Sequence, residues 1–437
     1  MKNNDKDISN VATPSESDIR IGVVGLGYVG LPMACLFASR YATVGYDIDN
    51  EKILNLQNDE CGSEEAHGCD IAGVLASGNM TFTSDPSLLK DCNFIIVSVP
   101  TPIDNNYKPD ISILLSATKT IGKLLSKGVT VVYESTVYPG MTEELCVPLL
   151  ERESGLRFNE DFFVGFSPER INVNDHEHTV EKITKVTSGS TPEAADRIDR
   201  LYASVLENGT FKACNIKTAE ACKIIENCQR DVLIALFNEF RVMLDPIGVD
   251  IRDVSAAAST KWNFVSASPG LVGGHCIAVD PYYMISKAES LGVRSPLLHA
   301  AREVNEEMPR WLASEFDKAL VGEGCRPEES EVLILGFSFK PDCADIRNTK
   351  VADLFGSLRE RGYRVTVYDP VVDPVEVKAE YGIDVSTDAS VLRPSVYKAI
   401  VIGTAHSEFN SIDKVSLISG TGFIGDVYGL NKVKNEK

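Results

Sequence analysis

Short β-branched and aromatic runs alternate with helical stretches through the first half of the chain, the pattern of a parallel sheet joined by crossover helices. Strands are predicted at 21–24, 43–46, 94–99, 129–133 and 162–166, and 183–187 offers a sixth. Five or six such strands make one domain over 18–205, behind a polar stretch at 1–17 that reads as a disordered tail. The middle reads differently. Residues 218–244 carry a helical pattern without Gly or Pro until Pro246 and Gly248 punctuate it, shorter helical pieces continue to 258, and another long helix is predicted at 296–319.

Strand patterns return at 331–335, 364–368 and 399–402. The fold class is therefore α/β: two Rossmann-like doubly wound domains, 18–205 and 321–437, joined by a central long-helix region at 206–320. Long helices between α/β units usually carry a linker or a subunit interface, so a homo-oligomer, a dimer or higher, is expected. No simple repeat is visible, and the second α/β unit does not copy the glycine signature of the first.

Length and composition agree with this division. At 437 residues the chain is long for one core, and its 43% hydrophobic and 24% charged residues are ordinary for a globular protein. With 43 basic against 63 acidic residues the net charge is −20. Nucleic acid and anionic membrane both need a basic footprint, so neither is expected as a partner. A phosphorylated small molecule would need basic residues gathered locally. The start lacks the apolar core of a signal peptide, and no run approaches the roughly 18 apolar residues of a membrane span. A cytoplasmic protein is expected. The eleven cysteines form no C-x-x-C pair and read as reduced, mostly buried thiols, with one exception taken up below.

Gly25-Leu26-Gly27-Tyr28-Val29-Gly30 fits G-x-G-x-x-G, with a strand before it, a helix after it, and Asp47 at the end of the second strand. Gly25 permits the tight turn, Gly27 lets backbone approach a pyrophosphate, and Gly30 allows close helix–strand packing. Anions are favoured at the helix start that Tyr28 and Val29 lead into. A carboxylate at Asp47 suits the adenosine ribose hydroxyls and disfavours a 2′-phosphate, so the expected cofactor is NAD. Without that context the motif would be a glycine turn with a solvated Asp. Ligands sit beyond the carboxyl ends of parallel strands, which brings in Pro100 and Thr101 after the third predicted strand and Ser135 and Thr136 after the fourth.

The exceptional thiol is Cys276, in Gly273-Gly274-His275-Cys276, with Asp280 four residues on. Taken alone, this is a buried Cys in a glycine turn. Neighbours in extended chain point to opposite sides, so His275 is not expected to act beside it. The long helix carries Glu220, Lys223, Asn227 and Arg230 at three- and four-residue spacing, opposite Ala221, Ile224, Ile225, Cys228, Val232 and Leu236. Taken alone, this is an amphipathic helix with a solvated polar stripe. Asp175-His176-Glu177-His178 lacks distant partner ligands and reads as a surface loop, with no metal expected.

Six ordered motifs tie these pieces together: GLGYVGLP at 25–32, ESTVYPG at 134–140, FSPERI at 166–171, AEACKIIEN at 219–227, GGHCIAVDP at 273–281 and GFSFKPDCADIRNT at 336–349. Along nearly its whole length the chain resembles the UDP-glucose/GDP-mannose dehydrogenase family. The resemblance implies a four-electron oxidation of a sugar C6 hydroxyl with two NAD. Cys276 would attack the intermediate aldehyde to give a thiohemiacetal, then a thioester that water hydrolyses. A soft thiolate forms such an adduct readily. By the same resemblance Lys223 steadies oxyanion charge, and Asn227 holds the same oxygen or the sugar. Asp280 works with Lys223 in proton transfer, and Thr136 and Glu169 position water. Lys340 and its neighbour Phe339 would contact substrate, Arg347 the cofactor, and Lys261 the diphosphate, with Arg170 and Gly273 completing the substrate site.

His275, Tyr138 and the segment Val279-Asp280-Pro281-Tyr282-Tyr283 depart from the commonest UDP-glucose pattern. They look like the UDP-N-acetylhexosamine 6-dehydrogenases of bacterial surface-polysaccharide pathways. UDP-N-acetylglucosamine is the expected substrate, then UDP-N-acetylgalactosamine, then UDP-glucose. Two other readings stand beside this one. A two-electron hydroxyacid dehydrogenase would need neither the nucleophile nor a second nucleotide domain. A nucleotide-sensing protein would not keep Cys276, Lys223, Asn227, Glu169 and Asp280 together.

Overall fold

A computed structural model describes residues 18–60, 69–104, 106–169 and 179–435. The chain forms two compact units: one runs to Glu226 and takes in Tyr282–Lys287, and the other comprises Asn227–Pro281 and the chain from Ala288 onward.

In the first unit six parallel strands, β1 (Arg20–Val24), β2 (Ala42–Tyr46), β3 (Met80–Thr83), β4 (Phe94–Val97), β5 (Thr130–Tyr133) and β6 (Phe163–Phe166), lie in the order β3-β2-β1-β4-β5-β6. This is the dinucleotide-binding order, with its switch point between β1 and β4. Strands β4 and β5 are buried at every position, as expected of a parallel sheet covered on both faces. Their apolar side chains join a core with Ile21, Val23, Met33, Phe37 and Tyr202.

One expectation is corrected here. The sixth strand is Met80–Thr83, a four-residue edge strand too short to stand out from its polar flanks. The segment proposed in its place forms a short strand, β7 (Lys185–Thr187), that pairs instead with β8 (Thr210–Lys212) in a separate two-stranded sheet. Lys185 explains the difference, because its side chain is used to reach the end of β5 rather than to cover the sheet.

The second unit holds β9 (Glu331–Leu335), β10 (Arg364–Tyr368), β11 (Tyr397–Ile402), β12 (Ile418–Asp426) and β13 (Gly429–Lys434), in the order β10-β9-β11-β12-β13. All pairs are parallel except the closing hairpin β12–β13. The long helices are Ile216–Leu244 and Pro296–Gly322. Within this unit they are locked by buried polar groups. Arg302 Nη1 donates to Asp231 Oδ1 at 2.6 Å, and Asn305 Nδ2 donates to the same oxygen at 2.8 Å. Asn238 bonds Asn305 at 2.8 Å and the Gly270 backbone at both its N–H and its carbonyl. Such a network fixes register more sharply than an apolar seam, since every slip would strand a buried polar group.

The two units share a device that their sequences hide. Gly25, at φ +90°, follows β1 and bonds the Tyr46 carbonyl at 2.9 Å; Gly336, at φ +86°, follows β9 and bonds the Tyr368 carbonyl at 2.8 Å. In each case the next residue of the second strand is an acid that accepts backbone N–H groups from the glycine turn. Asp47 takes Leu26 at 2.8 Å, and Asp369 takes Phe337 and Ser338 at 2.6 and 3.1 Å. The difference lies downstream. A helix starts at Gly30 in the first unit, whereas residues 337–349 form a long loop before the Lys350–Glu360 helix in the second.

Candidate functional site

The three glycines of the first turn have separable constraints. A Cβ on Gly25 would lie 2.4 Å from the Ser98 carbonyl oxygen, and one on Gly30 would lie 1.8 Å from the Gly25 carbonyl oxygen. A Cβ on Gly27 would meet nothing within 4 Å. Gly25 and Gly30 are thus required by the fold, while Gly27 is exposed and leaves open the space that a pyrophosphate would fill. The helix closes first from Leu31 N–H to the Gly27 carbonyl at 3.0 Å, so the amides of the Tyr28–Gly30 segment form its anion-favouring end. Asp47 accepts the Asp49 N–H on its second oxygen at 3.1 Å and keeps lone pairs for a ribose diol. These residues fit NAD.

Beyond the strand ends, Ser135 Oγ donates to the Val99 carbonyl at 2.7 Å and accepts the Val99 N–H at 2.9 Å, tying the loop after β5 to the loop after β4. Pro100 is exposed there, Thr101 and Thr136 are half-buried, and Glu169 is buried. Glu220 Oε2 accepts the Gly140 N–H at 2.5 Å and Glu220 Oε1 the Thr142 N–H at 3.0 Å, which fastens ESTVYPG to the start of the long helix. Burial pushes the Glu220 carboxyl above its usual range, against the pull of those bonds.

The stripe containing Glu220 reverses the expectation drawn from the helix alone. Glu220, Lys223 and Asn227 are buried, and Asp231 and Asn238 continue the buried row. Ile225 and Leu236, on the supposed core face, are 57% and 41% exposed. Arg230 is exposed as well, bonded to Asn227 Oδ1 at 2.5 Å. The chain spends this polar face indoors.

In the second unit residues 274–279 form successive turns rather than extended chain. Gly274 sits at φ +82°, and a Cβ there would strike the Phe339 ring at 2.7 Å; one on Gly273 would come within 2.6 Å of the Asn348 carbonyl oxygen. Asp280 N–H returns to the Cys276 carbonyl at 2.8 Å, and the buried Asp280 carboxylate accepts a hydrogen bond from Asn227 Nδ2. Cys276, Asp280 and Asn227 are thereby gathered into one neighbourhood.

The turn removes the extended-chain geometry on which the expectation for His275 rested. Its ring stands edge-on to Phe339, with centroids 5.7 Å apart, and Nδ1 lies 3.5 Å from Asp345 Oδ2. Burial pulls the imidazole toward neutrality, but the Asp345 carboxylate and the Cys276 thiol near it outweigh that pull and lift the pKa to about 9. Burial likewise raises Asp345, yet the bonds from Arg347 and the nearby His275 ring hold it well below the usual carboxylate range. Arg347 is exposed and grips Asp345 through Nε at 2.9 and 3.1 Å and through Nη2. Nothing local in the sequence marks Asp345 among the acids of its loop. Lys340 is half-buried in the 337–349 loop, and its carbonyl accepts the Ser338 hydroxyl at 2.9 Å. Lys261 is exposed and bonds Thr260 Oγ1 at 2.7 Å; Trp262 beside it is 96% exposed. Arg170 and the Asp175–His178 segment lie outside the described residues.

Comparison with known proteins supplies the identity of this arrangement. Three models of the UDP-glucose/GDP-mannose dehydrogenase family match in order: its NAD binding domain over residues 19–206, its central domain over 217–307 and its UDP binding domain over 333–430. The chain is 47% identical over 395 residues to a UDP-N-acetyl-D-glucosamine 6-dehydrogenase of Pseudomonas aeruginosa, covering 90% of this chain and 92% of that one. It is 44% identical to the protein of that name from Salmonella typhi, with the same coverage. A solved UDP-D-ManNAc dehydrogenase of Pyrococcus horikoshii superposes with a TM-score of 0.82 at 33% identity, over 91% of this chain and 92% of that one. Among the described residues no helix is long and apolar enough to cross a membrane. With a glycine turn built for a dinucleotide, a UDP binding domain and matches along nearly its whole length, the chain belongs to the UDP-glucose/GDP-mannose dehydrogenase family and is an NAD-dependent UDP-sugar dehydrogenase.

Proposed function

We propose that the chain oxidises the C6 hydroxyl of UDP-N-acetylglucosamine to the carboxylate, with UDP-N-acetylgalactosamine and then UDP-glucose as the alternatives. The observation that carries this reading is the setting of Cys276: a thiol on a glycine turn, one turn of chain from an Asp280 carboxylate that Asn227 holds. NAD, when bound, supplies the hydride acceptor for both oxidations. Cys276 attacks the C6 aldehyde, which creates a tetrahedral carbon bearing oxygen from which the second oxidation can proceed to a thioester. Lys223 and Asn227, one turn apart on the same helix, steady the charge that develops on that oxygen. Asp280 moves protons, and Thr136 and Glu169 orient the water that hydrolyses the thioester. Lys340, Phe339, Arg170, Gly273 and Lys261 serve the UDP-sugar, and Arg347 the cofactor.

Support for the acetamido sugar comes from relatives at 44–47% identity that bear the UDP-N-acetylglucosamine name. A uronic acid of this kind suits surface-polysaccharide synthesis in the cytoplasm, where the free thiols found among the described cysteines would persist. A homodimer or higher assembly is supported by apolar side chains left exposed on and just after the long helix, among them Leu236, Phe240, Met243 and Ile247. The test is a panel of UDP- and GDP-sugars with NAD, read as NADH per sugar consumed. Two NADH per UDP-N-acetylglucosamine, and none with Cys276→Ala, are expected. One NADH per sugar, or full acid formation by that variant, overturns the mechanism.

A further inference from the structure

The residue beside the nucleophile has no part in the mechanism above, yet it is the better-built half of the turn. His275 is fixed on three sides. Its ring meets Phe339 edge-on, its Nδ1 faces Asp345 at 3.5 Å, and the backbone on which it sits is pinned where Asn348 Nδ2 donates to the Gly274 carbonyl at 3.3 Å. Asp345 is itself fixed by Arg347 through bonds to both carboxylate oxygens. Cys276 is the next residue in the same run of turns, and its thiol is among the groups that raise the imidazole pKa. Carboxylate, imidazole and thiol are therefore neighbours in one turn and loop, with the carboxylate 3.5 Å from the ring nitrogen and placed to orient it, as in other sites where a base activates a nucleophile.

We propose that His275 is a catalytic residue that takes the Cys276 proton and holds Cys276 as a thiolate, with Asp345 as its positioning residue. The step is a proton transfer alone: the Sγ–H bond breaks, an N–H bond forms on the imidazole, and no atom changes oxidation state. The pair goes from neutral thiol and neutral imidazole to thiolate and imidazolium, and Asp345 balances the positive ring. The titratable and charged groups that act on the ring are Asp345 and Cys276, which favour its charge, and Arg347, which opposes it. The lifted titration of His275 agrees with an imidazolium at neutral pH. An ordinary thiol, with a pKa of about 8.5, is only a few per cent ionised there. Imidazolium stabilisation also suits the end of the cycle, since the thioester must expel this sulfur as a thiolate.

The proposal rests on Cys276 being the nucleophile, but its test needs neither sugar nor NAD. The full chain is alkylated with iodoacetamide between pH 5.5 and 9.5, and the rate at Cys276 is read from the mass of its peptide. In the unaltered protein the rate should keep its plateau well below the ordinary thiol midpoint. In His275→Gln the midpoint should return to about 8.5, with the rate at pH 6.5 falling at least tenfold, while Asp345→Asn should move the midpoint part of the way. An ordinary midpoint in the unaltered protein, or a His275→Gln profile that coincides with it, overturns the proposal. If His275→Gln does not fold, the Asp345→Asn profile decides, and an unshifted profile there counts against it. A low midpoint combined with one NADH per sugar would sink the four-electron mechanism and leave this inference standing.

Discussion

Lys185 Nζ lies 3.3 Å from Glu134 Oε1 inside the first unit, where neither side chain is more than 1% exposed. The ammonium also donates to the Pro168 carbonyl at 3.3 Å and sits 5.4 Å from the centre of the Tyr202 ring, whose hydroxyl donates to the same Glu134 oxygen. Glu134 opens the segment that holds Ser135 and Thr136, and Pro168 directly precedes Glu169. One buried cation thus fixes the two segments proposed to position water. Lys185→Met should cost about 3–5 kcal/mol, because it leaves a carboxylate buried without its cation. Adding Glu134→Leu should restore much of that stability without restoring turnover. Urea unfolding of the single and double variants, with kcat beside it, checks both halves.

The glycine turn predicts a separation of fold from cofactor binding. Gly27→Ala places its Cβ in open space, so its unfolding midpoint should stay within about 0.5 kcal/mol of the unaltered protein. NAD affinity should nevertheless fall at least tenfold, about 1.4 kcal/mol, because the added methyl occupies the pyrophosphate's approach. Gly30→Ala should lose both, since its Cβ would lie 1.8 Å from the Gly25 carbonyl oxygen and overpacking typically costs about 1–3 kcal/mol. Equal loss of NAD binding and stability in Gly27→Ala would remove that residue from the cofactor site. Thermal unfolding and NAD titration by fluorescence supply the readouts.

What the sequence revealed and what it hid divide along one physical line. The dinucleotide turn, five of the six main-sheet strands and both long helices were legible because each is set by local pattern. Met80–Thr83 and the β12–β13 hairpin were not. The first is a short edge strand, and the second begins in Ser419-Gly420-Thr421-Gly422, where Gly420 at φ +68° breaks the alternation. The buried face of the long helix was hidden for another reason. Glu220 finds its partners at Gly140 and Thr142, some eighty residues earlier, and Asp231 finds Arg302 and Asn305, some seventy later. A polar residue's burial is decided by partners that periodicity cannot see. The continuation of the polar row into Asp231 and Asn238, without a matching apolar contrast, was the available hint.

The His275–Asp345 pair sets a pH dependence with a definite sign. The imidazole pKa is raised to about 9, so its contribution to stability is fully present below the unfolded value near 6.5 and is lost as pH rises through 9. The Asp345 carboxyl is lowered, so its share is present above the unfolded value near 4 and is lost on acidification. The stability advantage of the unaltered protein over His275→Gln should therefore be largest between about pH 4 and 6.5 and shrink toward pH 9.5. Urea midpoints of both proteins at pH 5.5, 7.5 and 9.5 test this. A gap that does not change with pH would mean the ring is neutral throughout.

The hydrogen bond from Asn227 Nδ2 to Asp280 makes the identity of residue 227 an electrostatic matter. Both side chains are buried, at 2% and 1% exposure, so Asn227→Asp would set a second carboxylate against the first with little solvent to screen them. Two such groups cannot both ionise cheaply, so the pair takes up one shared proton as the pH falls. Turnover should fall by roughly 10²–10³, the usual effect of losing one donor to a developing oxyanion. Asn227→Ala should fall by a similar factor, but the two variants should separate with pH. Asn227→Asp should regain activity toward pH 6, where the shared proton restores a donor, whereas the alanine variant has nothing to protonate and should not. Parallel pH profiles of kcat would reject this role for Asn227 if the aspartate and alanine variants kept the same ratio from pH 6 to 9.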